Sequence, residues 1–136
     1  MNLNNIVLTI KCIQDRYILA KVSNNITEMQ NIRDDLAWEM FHFGEIYSQI
    51  KSDYELADDK YKTCLNQEYL SLKEGKSRTE MTGEIAERRS FVNCGEIRDV
   101  MQAKRELYNR ARTILERVDQ IMNSIASRIG LFKKIE

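Results

Sequence analysis

Between Ile97 and Phe132 apolar side chains recur on three heptad tracks, where a simple coiled-coil seam uses two. Ile97, Lys104, Ala111, Val118, Ile125 and Phe132 form the first track, and Val100, Leu107, Ile114 and Ile121 the second. Met101, Tyr108, Leu115, Met122 and Ile129 form the third. Two tracks bury one neighbouring helix, and a third widens the face until it can touch two. A chain with this pattern must provide two partner helices, or borrow one from another copy of itself. The third track, Met101, Tyr108, Leu115, Met122 and Ile129, is accordingly the expected oligomerisation surface.

The rest of the chain is equally helical in pattern. There is no proline and there are only five glycines in 136 residues, so little interrupts long helices. Leu3, Ile6, Ile10, Ile13 and Tyr17 fall at helical spacing and predict a short helix over 1–22, ended by the turn-forming KVSNNIT. Thr27–Gln30 has the form of a capping box. From there Leu36, Met40, Phe43, Tyr47, Ile50, Tyr54, Ala57, Tyr61 and Cys64 alternate by four and three, predicting a long helix over 28–74 with Gly75 as its stop. Such a helix is on the order of 70 Å long and must pair along its length or project. Ser77–Glu80 repeats the capping-box form and predicts a short helix over 78–92, ended by Asn93-Cys94-Gly95. A long helix over 95–132 completes a single all-α domain spanning 1–136: two long antiparallel helices, a short helical elbow and a short N-terminal helix, assembling as a homo-oligomeric ring or bundle. Trp38 and Phe41 lie off the long seam and are expected to receive the N-terminal helix.

Charge is balanced overall, with 21 basic and 21 acidic side chains, but unevenly distributed. Residues 33–68 hold four basic and nine acidic side chains, whereas 73–136 hold fourteen and ten. Cys12, Cys64 and Cys94 are odd in number and never in C-x-x-C spacing, which predicts neither a disulfide nor a zinc site and favours a reducing cytoplasm. The N-terminus lacks the basic start and apolar run of a signal peptide, and no stretch approaches a membrane span. A soluble cytoplasmic protein is expected, in the host cytoplasm if viral, with no membrane partner.

Catalysis needs convergent reactive groups, and the sequence assembles none. His42 is the one histidine and occupies a polar heptad position; Asp58 and Asp59 are adjacent and diverge on a helix. No phosphate-binding glycine loop, metalloprotease or nucleophile-elbow motif occurs. A non-enzyme without cofactor or metal is expected. The basic residues are more informative. Lys73, Lys76 and Arg78 mark the elbow, Arg88 and Arg89 end the short helix, and Arg98, Arg105 and Arg112 form a track on the long final helix. Clusters of flexible cations bind phosphate backbones, and repetition in an oligomer multiplies a modest patch, although pairing with neighbouring acids such as Asp99 and Glu106 is the competing role.

A long helix closing in EYLSLKEG, then Lys76–Met81 (KSRTEM), a charged stretch, and a long helix ending IASRIGLFKKI resemble the phage recombination mediators of the UvsY type over about Leu36–Ile135. Ser127 and Arg128 match the family's terminal Ser-Arg, with Ile129 intervening before Gly130. The resemblance implies a ring-shaped homo-oligomer that binds single-stranded DNA and helps load a RecA-like recombinase onto DNA coated by single-strand binding protein. Where the family carries basic residues late in its first long helix, this chain has Asn66, Gln67 and Glu68. The elbow and final-helix cations would have to make the DNA contacts instead. The alternative reading is a helical protein-interaction module, such as a phage adaptor, chaperone or host-protein inhibitor, without nucleic-acid binding.

Overall fold

The computed structural model describes residues 3–135, and every regular element among them is an α-helix. Helix α1 spans Leu3–Ser23, α2 Ile26–Lys73, α3 Gly83–Asn93 and α4 Gly95–Ile135. Local chemistry explains the junctions. Asn24 takes the left-handed conformation (φ 51°), and the amides of Asn24 and Asn25 donate back to Lys21 and Ala20, a paired closure of α1. Asn25 then opens α2, its Oδ1 accepting from the Glu28 amide at 3.0 Å. The capping box expected at Thr27 is therefore not the start of the helix, because a stronger cap stands two residues earlier. Gly75, at φ 69°, follows the end of α2 as expected.

The second expected capping box closes only one turn. Ser77 Oγ accepts from the Glu80 amide at 3.3 Å, after which Met81 is buried and the turn does not propagate. Thr82 caps α3 instead, accepting from the Ile85 amide at 3.2 Å, so the short helix begins five residues later than Arg78, where the sequence pattern placed it. Cys94 alone separates α3 from α4.

The chain divides into two compact units, Met1–Ser48 with Arg110–Glu136, and Gln49–Asn109. In the first, α1 buries Leu3, Ile6, Ile10, Ile13, Tyr17 and Ala20, while α2 contributes Met29, Ile32, Leu36 and Phe43. From α4 come Ala111, Ile114, Val118, Ile121, Ile125 and Ile129. Each such large side chain contributes roughly 1.5–3 kcal/mol on burial. Arg110 donates to Asn4 Oδ1 at 2.7 Å across 106 residues, and the Tyr17 hydroxyl meets Ser124 Oγ across 107. That constant offset makes α1 parallel to α4. Arg16 ties α1 to α2 through Glu28 at 2.8 Å and Asp35 at 2.7 Å. Helix α1 is thus the second partner that the wide face of α4 requires, and it comes from the same chain. Ile129 is buried, and Leu115 and Met122 are half-buried, where the third track had been expected to lack a partner within one chain. Trp38 and Phe41, expected to receive α1, are 63% and 70% exposed.

In the second unit α2 and α4 run antiparallel. Tyr54 stacks on Tyr108 with ring centroids 5.3 Å apart, and further along Cys64 is bonded to Cys94. This disulfide contradicts the expectation of free cysteines. The two are 30 residues apart in sequence, and only the antiparallel pairing brings their Cα atoms to 6.1 Å. It also removes the ground for inferring a reducing compartment, since disulfides persist mainly where conditions are oxidising. Met101 is buried and Tyr108 half-buried, so the third track is largely covered here as well. No described helix is long and apolar enough to cross a membrane.

Candidate functional site

The eight cations singled out in the sequence separate into distinct settings. Lys76 and Arg78 are exposed on the segment between α2 and α3, and Arg89 is exposed on α3. None of these three has a partner among the described residues, so their charge is available to a ligand. Arg88 holds Glu84 at 2.6 Å, but both side chains are mostly exposed, and a surface pair of this kind is worth about 0–1 kcal/mol, easily exchanged for a phosphate.

Two further cations sit on aromatic rings. The Lys73 ammonium lies 5.5 Å from the Tyr69 ring centre. The Arg98 guanidinium lies 3.7 Å from that of Phe91 and donates to the Phe91 carbonyl at 2.8 Å. Tyr69 and Phe91 line one cavity of about 380 Å³, together with Leu65, Asn66, Glu87 and Ser90. Helix α2 supplies Leu65, Asn66 and Tyr69, and α3 supplies Glu87, Ser90 and Phe91. The Cys64–Cys94 bond ties the α2 wall to the end of α3. Ser90 is buried and its hydroxyl is spent on the Ala86 carbonyl at 2.7 Å, which makes it structural.

The expected arginine track does not act as a track. Arg98 folds back on Phe91, and Arg105 donates to the Tyr54 hydroxyl at 3.4 Å, a hydrogen bond that raises the guanidinium pKa. Arg112 belongs to the other compact unit, where it lies 3.8 Å from Glu116. Seven residues per heptad keep these arginines on one helix face, but each meets different local chemistry. Lys73, Lys76, Arg78, Arg88, Arg89 and Arg98 therefore remain as the cations of the stretch running from the end of α2 through α3 into the first turn of α4.

Tyr69 and Phe91 are the residues that sequence reasoning did not single out. An aromatic two residues after the basic Arg88-Arg89 pair was the available signal for Phe91; its pairing with Tyr69 depends on the fold. Among the described residues no three His, Cys, Asp or Glu side chains converge to hold a metal. His42 is exposed, edge-on to the rings of Trp38 and Phe41 at 4.7 and 5.7 Å. Comparison of the chain with family models, curated proteins and solved structures returns no match.

Proposed function

We propose that this protein is a non-enzymatic single-stranded DNA-binding protein that acts as a recombination mediator, with the elbow between α2 and α4 as its binding surface. The carrying observation is the cavity shared by Tyr69 and Phe91, each ring with a cation beside it; the unpaired Lys76, Arg78 and Arg89 lie on the stretch of chain that joins Tyr69 to Phe91. Unstacked bases bind aromatic faces and their phosphates bind flexible cations, without sequence preference. A duplex hides its base faces, which favours single strands. The mediator role rests on the resemblance in sequence: a non-catalytic binder supplies only binding energy, and it favours a RecA-like recombinase over single-strand binding protein by holding the strand in a suitable geometry. Self-association repeats the modest cation set and provides avidity.

The test is an anisotropy titration of a labelled single-stranded oligonucleotide at several salt concentrations. Log affinity is expected to fall linearly with log salt, by about 0.7 per phosphate neutralised, and the slope to shrink when Lys76, Arg78 and Arg89 are changed together to alanine. With binding established, the protein is expected to stimulate ATP hydrolysis by its cognate recombinase on coated DNA. Absence of binding at low salt sinks the DNA reading. The interaction-module reading then takes its place, favoured by Trp38 and Phe41, whose exposed rings stack at 6.4 Å on α2.

A further inference from the structure

The Gln49–Asn109 unit leaves an apolar strip open. Leu56 of α2 and Ile97, Val100 and Leu107 of α4 are 57%, 39%, 56% and 37% exposed. Leu56, Ala57, Ile97 and Val100 line one groove of about 230 Å³, with Asp53, Lys60 and Lys104 at its polar margin. Ile97, Val100, Lys104 and Leu107 belong to the same two heptad tracks of α4 whose later members Ala111, Ile114, Val118, Ile121 and Ile125 are buried, only Phe132 near the helix end being exposed again. Those later members pack in the unit that contains α1, and α1 contributes no residue to this one. A stripe that is core in one stretch of a helix and part-exposed in another leaves room for a further helix to lie on it.

We infer that a second copy of this chain covers the strip, the two α2–α4 pairs packing face to face about a two-fold axis as a four-helix bundle. Charge selects this occupant. Asp53 and Lys60 stand seven residues apart on α2, on either side of Leu56 and Ala57, and all four line the groove. An axis passing between Leu56 and Ala57 places Asp53 of each copy beside Lys60 of the other, because an isologous contact pairs residue i with j and j with i. Lys60 has no partner among the described residues, and Asp53 accepts only from Gln49 on its own helix, at 2.8 Å. A uniformly basic partner opposes Lys60 and Lys104, and a uniformly acidic one opposes Asp53. The inference deepens the self-association on which avidity at the elbow rests, and names its surface as the first two tracks of α4, away from the third.

Light scattering at micromolar concentration, without DNA, tests it. The wild-type chain is expected at twice its 16.0 kDa mass. Val100→Glu is expected to give a monomer with unchanged helical circular dichroism, since Val100 is exposed in one chain. Asp53→Lys alone and Lys60→Asp alone should each weaken the dimer by about tenfold or more, and the double swap should restore it. A monomeric wild type, a dimer indifferent to Val100→Glu, or a double swap as weak as the singles overturns the inference. If Val100→Glu proves unfolded, the charge-swap pair decides. A monomeric wild type that still binds DNA overturns only this inference, whereas a dimer without DNA affinity overturns only the elbow reading.

Discussion

Phe91 divides its ring between a guanidinium and an open cavity, and that division sets its expected role. The Arg98 side chain occupies one approach at 3.7 Å, while the cavity shared with Tyr69 leaves room for a flat group. Phe91→Ala removes a stacking surface and no charge. Single-strand affinity should therefore fall by roughly 1–3 kcal/mol while the salt slope stays constant, as read by anisotropy at several salt concentrations. A changed slope with unchanged low-salt affinity would show that Phe91 acts only by orienting Arg98. Arg16 is a different kind of residue. Hydrogen bonds from its guanidinium to Asp35 and then Glu28 raise its pKa. A raised pKa gives stability that is complete below the unfolded value and lost only as pH climbs through the folded one. For an arginine both lie far to the alkaline side, so the guanidinium's contribution is constant across the neutral range.

At the scale of the element, the helix ends are set by short-range chemistry and the helix faces by what packs on them. Gly75 stands at φ 69° with open space where a Cβ would be. Gly75→Ala meets no steric obstacle from other side chains, and its whole cost is the left-handed backbone, about 1–2 kcal/mol. The urea midpoint should drop accordingly, with an unchanged slope, and a variant as stable as wild type would show that the turn relaxes to another conformation. Helix α4 shows the other half of the rule. Its second track is apolar throughout, yet on the neighbouring first track Val118 is fully buried while Val100 of the second is 56% exposed. The difference lies in the neighbours: α1 contributes to the unit holding Val118 and not to the one holding Val100.

For the whole molecule, the consequential long-range link is Cys64–Cys94. It closes a loop of 30 residues that contains the elbow cations from Lys73 to Arg89. By chain entropy such a closure stabilises the folded state by on the order of 3–4 kcal/mol. Reduction, or joint change of Cys64 and Cys94 to serine, should lower the melting temperature. Amide exchange should accelerate in Gln49–Asn109 and stay unchanged around Ile6, Ile13 and Val118 in the other unit. Uniform acceleration through both units would mean that they unfold as one cooperative body.

The helices themselves, their order and most of their ends were legible in the sequence. Periodicity of 3.6, the lack of proline, Gly75 and Asn93-Cys94-Gly95 are local properties, and helical hydrogen bonds are local too. Local signals also erred where two caps competed, at Asn25 against Thr27 and at Thr82 against Ser77, because the choice depends on which neighbouring side chains become buried. The cations of the elbow were equally visible, since Lys76, Arg78 and Arg89 need only be counted. The tertiary structure decided the rest. It assigned α1 as second partner to α4, left Val100 rather than Ile129 uncovered, joined Cys64 to Cys94, and set Tyr69 across a cavity from Phe91. Each of these couples residues far apart in the chain, and a heptad pattern states that a face must be buried without stating what buries it.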